Sequence, residues 1–222
     1  MNMSTKGRVV VTCGPSFEPI DEVRRITNAS TGELGIRLAN ALAGDGWSVV
    51  CLKGVGATHP DQLVEAVEHI PFSTNDDLLE RLQALPQPSE IAAVFHAAAL
   101  CDFRVQAAGN SERAKISSRA GELTLVLTPA TKLLPGLRTL FPAAQIVGWK
   151  YELDGTREDA VAKGRAQIGA CASDACVVNG AAYGDGFGVL LPDGRLSHCA
   201  TKDELCMHLS AWLAEETLCR PA

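Results

Sequence analysis

The residues best placed to do chemistry are Asn28-Ala29-Ser30-Thr31-Gly32-Glu33-Leu34-Gly35, which run into the start of an expected helix. Gly32 and Gly35 remove side chains, so backbone N–H groups can approach an anion, and a helix dipole favours negative charge there. Plain capping of the helix by Ser30 or Thr31 is the competing reading. A second group is Ala97-Ala98-Ala99-Leu100-Cys101-Asp102-Phe103-Arg104-Val105. Its three alanines leave room for something flat against the backbone. Asp102 can then bind a ribose hydroxyl, an amino group or a metal-bound water, or it can simply initiate a turn. Lys115 stands ahead of an expected strand, where it can neutralise a phosphate or be a solvated loop lysine. Trp149, Lys150 and Glu152 follow another strand, and an aromatic there can stack on a base or pack in the core. Asn179 closes Val177-Val178-Asn179-Gly180, where an amide can read a ligand or begin a turn.

The elements that must position these residues follow from hydrophobic periodicity. Val9–Thr12 is a β-branched apolar run ended by Cys13-Gly14-Pro15, which predicts a buried strand and a breaker. Glu33–Ala43 carries apolar residues at helical spacing, stopped by Gly44–Gly46, and Trp47–Leu52 is a second strand. This makes a βαβ unit with a long first loop. Downstream, helices are predicted over Asp61–Val67, Asn75–Leu85 (capped by Thr74 or Asn75), Thr131–Leu140 and Thr156–Ala170. Strands are predicted over Ile91–Ala97, Leu123–Leu127, Gln145–Trp149 and Ala175–Val178. Gly188–Leu191 and Arg195–Cys199 flank Pro192-Asp193-Gly194, a hairpin signal. Thr201 caps a last helix to Leu218, with Glu204 completing a capping box.

Alternating strands and helices predict an α/β fold, a doubly wound, mostly parallel, Rossmann-like three-layer sheet. Residues 1–222 read as a single domain, without linker, repeat or low-complexity segment. The irregular stretch Leu100–Gly121 is the candidate flap or subunit contact. Ligands of such sheets bind at the carboxyl ends of the strands, which selects the loops after Thr12, Ala97, Val147 and Val178.

Composition narrows the function classes. The formal net charge is −6, which argues against a nucleic-acid surface. No apolar run approaches the length of a membrane span, and the N-terminal residues lack the pattern of a secretory signal, so a cytoplasmic protein is expected. The eight cysteines include no Cys-x-x-Cys pair, and the five histidines are scattered. Free, mostly buried thiols and no metal site are therefore expected. Neither G-x-G-x-x-G after the first strand nor G-x-x-x-x-G-K-[ST] anywhere is present, which disfavours a standard dinucleotide fold and a P-loop ATPase.

Taken in order, VVVTCGPSFEPID, Val23-Arg24, ITNASTGELG, AAALCDF, AKIS before GELTLVL, VGWKYE and DACVVN resemble the phosphopantothenoylcysteine synthetase family, over nearly the whole chain. The resemblance implies ligation of cysteine to 4'-phosphopantothenate through an acyl nucleotidylate, with CTP or ATP as co-substrate and Mg²⁺ accompanying the triphosphate. It implies that Asn28 holds the acyl nucleotidylate, and that Gly14, Ser30, Gly32 and Gly35 cradle the phosphate of phosphopantothenate. Asn179 would contact the pantetheine portion. Ala98, Ala99 and Asp102 would border the nucleotide, Lys115 would meet its phosphates, and Pro129–Lys132 and Trp149 would lie beside base or ribose. Lys163, the lysine remaining in the helix before DACVVN, would also bind the nucleotide. Where family members carry K-x-K-K, Lys115 is followed here by Ile116-Ser117-Ser118, and the first turn is Gly14-Pro15-Ser16 in place of G-G-T. KISS and GWKYE look more like free-standing members that accept ATP, so both nucleotides stay open. The flavin-dependent decarboxylase half is absent from this sequence, so no flavin is expected. The family's dimers imply a homodimer joined through Leu100–Leu127. A paralogous ligase with a different acid, or a nucleotide-binding protein without catalysis, is the alternative on the same scaffold.

Overall fold

The computed structural model describes residues 6–106, 115–117 and 121–218. The central sheet has eight strands: β1 (Arg8–Cys13), β4 (Ser48–Gly54), β5 (Val67–Phe72), β6 (Ile91–His96), β9 (Gln145–Tyr151), β10 (Ala175–Asn179), β11 (Phe187–Leu190) and β12 (Leu196–Cys199). Their order is β12-β11-β10-β9-β6-β1-β4-β5. All neighbours are parallel except β10–β11 and β11–β12, which are antiparallel. Among the described residues the α-helices are α1 (Glu33–Gly44), α2 (Asn75–Gln83), α3 (Leu134–Leu140), α4 (Arg157–Cys171) and α5 (Lys202–Leu218). The predicted α/β, doubly wound sheet is what forms.

Side-chain alternation explains the unbroken apolar runs. In β1, Val9, Val11 and Cys13 pack with Ile36 and Leu38 of α1 and with Leu209 and Leu213 of α5. Val10 faces the other way, into a cluster with Leu78 of α2 and Leu137 of α3. A third cluster sets Ala160 and Ile168 of α4 on Cys176 and Val178 of β10. The seven described cysteines are free thiols and all are buried. The sheet order reverses between β1, whose chain continues to β4, and β6, whose chain continues to β9; this is where a doubly wound sheet opens a crevice.

Two small hairpins stand apart: β2 (Phe17–Pro19) with β3 (Arg25–Thr27), inside the long first loop, and β7 (Phe103–Val105) with β8 (Leu127–Pro129). Part of the predicted flap, residues 107–114 and 118–120, lies outside the described residues.

Several predicted elements are corrected. Asp61–Val67 is not a helix. The chain there runs into β5, an edge strand beside β4, whose Glu68, His69 and Pro71 suit a half-exposed edge that tolerates proline. The Leu123–Leu127 strand shrinks to β8, which joins β7 and not the main sheet. The helix expected from Thr131 starts at Leu134, because Pro135 fits only the first turn. Neither Ser30 nor Thr31 is the N-cap of α1. That position is Gly32, at φ 78°, with no side-chain capping bond. At α5 the capping box is half formed: Thr201 Oγ1 accepts the Glu204 N–H at 3.1 Å, but the Glu204 carboxylate accepts from the Ala200 N–H, one residue ahead of the cap.

Candidate functional site

The carboxyl ends of β1 and β6 are zipped together beyond the strands. Ala97 N–H donates to the Thr12 carbonyl at 3.1 Å, and Ala99 N–H to the Gly14 carbonyl at 3.0 Å. Gly14 holds φ 76°, a conformation that favours glycine, and an added Cβ there would lie 2.9 Å from the Ala57 methyl. Clefts open on either side of this seam.

The first cleft, about 280 Å³, lies at the N-terminus of α1. Gly14, Ser30, Gly32, Gly35 and Asn179 line it together, as do Ala97, Phe187 and Lys202. Gly35 also lets α1 approach β1 closely, since a Cβ on it would stand 2.2 Å from Cys13 Cβ. Gly32 itself brings no side chain into the cleft, and Thr31 Oγ1 accepts the Glu33 N–H at 3.3 Å, so the helix end presents backbone N–H groups beyond Glu33 to it. Glu33, in the first turn, is answered by Lys202 and by Arg37, whose Nε is 2.9 Å away. The Lys202 contact, against the cost of burial and with Arg37 adding to it, holds the Glu33 carboxyl below its usual range.

The second cleft, about 310 Å³, lies over β6 and β9. It is lined by Ala98, Leu100, Asp102, Lys132, Leu133, Leu134, Trp149 and Lys150, among others. Asp102 and Lys132 form an ion pair across its mouth. Trp149 is half-buried, and its indole N–H is buried without a hydrogen-bond partner among the described residues. Asn28 lines neither cleft itself, but it precedes Ala29 of the first and is bonded to Leu100 of the second. Its amide donates to the Ala99 carbonyl at 3.2 Å and the Leu100 carbonyl at 2.8 Å.

Asn28, Ala99, Lys115, Pro129 and Lys163, all expected site residues, line neither cleft. Ala99 works through its backbone in the seam. Pro129 pairs with Phe103 in the β7–β8 hairpin. Lys163 is turned to Glu152, which also meets Lys150 at 3.1 Å; the Lys163 contact leads in holding the Glu152 carboxyl low. Lys115 is exposed, but its neighbour Ile116 is anchored: the Ile116 N–H donates to buried Asp21 at 3.1 Å, and the Arg24 guanidinium donates to the Ile116 carbonyl. Burial alone would raise the Asp21 carboxyl. The N–H groups of Val23, Ile116 and Arg24, with the Arg24 charge, outweigh it and hold the carboxyl low.

The structure adds residues that sequence reasoning passed over. His96 lines the second cleft, and burial pushes its imidazole down to about 4. Gln167 and Tyr151 join it, and Phe187 and Lys202 join the first cleft. A lone histidine before three alanines reads as core. Lys202 is distant in sequence from Glu33, and only the packing of α5 on α1 reveals it.

Comparison with known proteins agrees with this architecture. The chain is 31% identical over 173 residues to the coenzyme A biosynthesis bifunctional protein CoaBC of Thermococcus kodakarensis, covering 78% of this chain and 41% of that protein. It is 32% identical over 181 residues to the protein of the same name from Bacillus subtilis, covering 81% and 42%. The chain thus spans about two fifths of the length of these curated relatives. Among solved structures, the DNA/pantothenate metabolism flavoprotein of Streptococcus pneumoniae superposes with a TM-score of 0.81 at 22% identity, over 95% of this chain and 99% of that one. A Cab2 mutant in complex with phosphopantothenate-cysteine superposes at 0.76 with 18% identity, over 96% and 88%. Both share the fold. The model of the DNA/pantothenate metabolism flavoprotein C-terminal domain matches residues 4–204, and the chain belongs to that family.

Proposed function

We propose that the chain is a phosphopantothenate–cysteine ligase of coenzyme A biosynthesis. The observation that carries this reading is the pair of clefts on either side of the seam that Asn28 ties: one at a glycine-capped helix N-terminus, suited to an anion, the other apolar and rimmed by lysines, suited to a nucleotide. The acid's phosphate lies against the α1 N-terminus, held by backbone groups of Gly32 to Gly35 and by Lys202. Its chain runs past Asn179, and its carboxylate reaches the seam between Gly14 and Ala99. The nucleotide enters the second cleft, with Lys132 and Lys150 toward its phosphates and Trp149 beside base or ribose. Lys115 closes on the phosphates from the segment anchored by Asp21 and Arg24.

In the first half-reaction a carboxylate oxygen attacks the α-phosphorus of CTP or ATP. The bond to the β-phosphate oxygen breaks, and pyrophosphate leaves. In the second, the cysteine amine attacks the acyl carbon, the nucleoside monophosphate leaves, and the nitrogen loses a proton. By turning one N–H away from the Ala99 carbonyl, the Asn28 amide would supply a neutral donor where carbonyl charge develops, and the clefts would shield the mixed anhydride from water. Asp102 is the carboxylate lining the nucleotide cleft and is already paired with Lys132, so Mg²⁺ would be held by phosphate oxygens and water. No three His, Cys, Asp or Glu side chains cluster for a metal among the described residues.

The protein is proposed to act in the cytoplasm, without nucleic acid or membrane; no helix among the described residues is long and apolar enough to cross a bilayer. It is proposed to form a homodimer through the β7–β8 hairpin, where Phe103, Val126 and Leu127 are exposed. The test is pyrophosphate release with phosphopantothenate, cysteine and either CTP or ATP, run in parallel. Release that requires both the acid and one nucleotide supports the reading. No release with either nucleotide overturns it.

A further inference from the structure

Thr12 and His96 are register partners on β1 and β6, the two strands between which the sheet opens. Thr12 Oγ1 lies 2.9 Å from His96 Nδ1, and the same oxygen accepts the Ala98 N–H at 3.3 Å. Thr12 is fully buried and His96 nearly so. Thr12 Oγ1 can give its one proton to His96 Nδ1, and with Thr12 as the donor the neutral ring carries its own proton on Nε2. His96 lines the second cleft, and its Nδ1 is taken by Thr12, which leaves Nε2 as the ring nitrogen available to a ligand there.

The surroundings say what that donor meets. Leu100, Leu133, Leu134 and Pro135 make the cleft's interior apolar. Of its charged groups, the Lys132 and Asp102 side chains are 66% and 65% exposed, while Lys150, at 35%, is paired with Glu152. A neutral donor deep in an apolar slot, with cations at the mouth, matches a nucleotide whose base points inward and whose phosphates point out. Burial keeps the imidazole uncharged at neutral pH, so it offers a fixed hydrogen bond without placing a charge beside the base.

We propose that His96 reads the base of the bound nucleoside triphosphate: its Nε2–H donates to a ring-nitrogen or carbonyl acceptor on the base, and Thr12 holds the ring in that tautomer. The proposal rests on the nucleotide reading of this cleft.

The experiment is calorimetric titration of the wild-type protein, His96→Phe, His96→Gln and Thr12→Val with CTP and with ATP, each with Mg²⁺, alongside thermal melts. For the nucleotide that the wild type binds, H96F is expected to bind roughly fivefold to tenfold more weakly. H96Q, whose amide can place an N–H near the Nε2 position, recovers most of the loss. T12V weakens binding as well, and the KM for phosphopantothenate stays within twofold throughout. Unchanged nucleotide binding by folded H96F overturns the proposal, as does H96Q binding no better than H96F. If H96F does not fold, T12V decides: unchanged nucleotide affinity in that variant overturns the proposal, and weakened affinity supports it. A wild type that binds neither nucleotide overturns the nucleotide reading of the cleft itself, which is a different failure from a wild type that binds and an H96F that binds equally well.

Discussion

The Asn28 side-chain nitrogen stands 2.8 Å from the Leu100 carbonyl oxygen, so the loop after β1 is tied to the loop after β6 by a neutral amide. Asn28→Asp turns this donor into an acceptor facing two carbonyls. Asn28 is exposed, so its hydrogen bonds contribute little to stability, on the order of 1 kcal/mol. If the amide also stabilises the acyl nucleotidylate, kcat for ligation should fall by about 10²- to 10³-fold, while the melting temperature shifts by only a few degrees. Product formation at the wild-type rate in N28D would remove Asn28 from the mechanism.

Gly164 and Gly169 sit on the same helix, α4, and are expected to respond oppositely to alanine. A Cβ on Gly164 would stand 2.6 Å from Val178 Cγ2, whereas one on Gly169 meets nothing within 4 Å. G164A should therefore lose about 1–3 kcal/mol through overpacking against β10. G169A should gain about 0.5–1 kcal/mol, because alanine replaces glycine on an exposed helical face. Urea midpoints that move in the same direction for both variants would contradict the packing of α4 on β10.

The contrast within α4 also shows where the sequence was legible. Strands β1, β4, β6 and β10 are buried on both faces, so their apolar runs announce them. Edge strand β5 is buried only at Val67 and Phe72, and its Glu68, His69 and Pro71 hide the pattern. The first cleft was readable because Ser30, Gly32 and Gly35 fall in one loop and helix start. Its other wall was not, because Phe187 and Lys202 come from β11 and α5, placed by tertiary packing alone. Lys163, which the family resemblance assigns to the nucleotide, has its charge paired with Glu152, and only the fold reveals that partner.

His96 predicts an acid sensitivity with a definite sign. Its native imidazole titrates at about 4, pushed down by burial, while an unfolded histidine titrates near 6.5. Between those values the unfolded chain takes up a proton that the folded chain refuses. Stability is therefore lost as pH falls through this window, by up to about 1.4 kcal/mol per pH unit and on the order of 3 kcal/mol in all. Carboxylates contribute their own slope below pH 5. The difference between wild type and H96F isolates the histidine. Urea unfolding at pH 7 and pH 4.5 should show the wild type losing at least 1.5 kcal/mol more than H96F. Equal losses would mean that His96 is not held neutral by the fold.

Lys202 is positioned to exchange partners. It lines the first cleft and contacts Glu33 at the α1 N-terminus, and Glu33 keeps Arg37 as a second cation. An incoming phosphate dianion can therefore recruit Lys202 without leaving Glu33 unpaired. A charge-assisted hydrogen bond contributes about 1.5–3 kcal/mol, which corresponds to a rise of roughly 10- to 150-fold in KM for phosphopantothenate in Lys202→Met. The KM for the nucleotide, proposed to bind in the other cleft, should stay within about twofold, and so should kcat at saturating acid. Inorganic phosphate should compete with phosphopantothenate in the wild type and lose most of that competition in K202M. A variant in which the nucleotide KM rises and the acid KM does not would reverse the assignment of the two clefts.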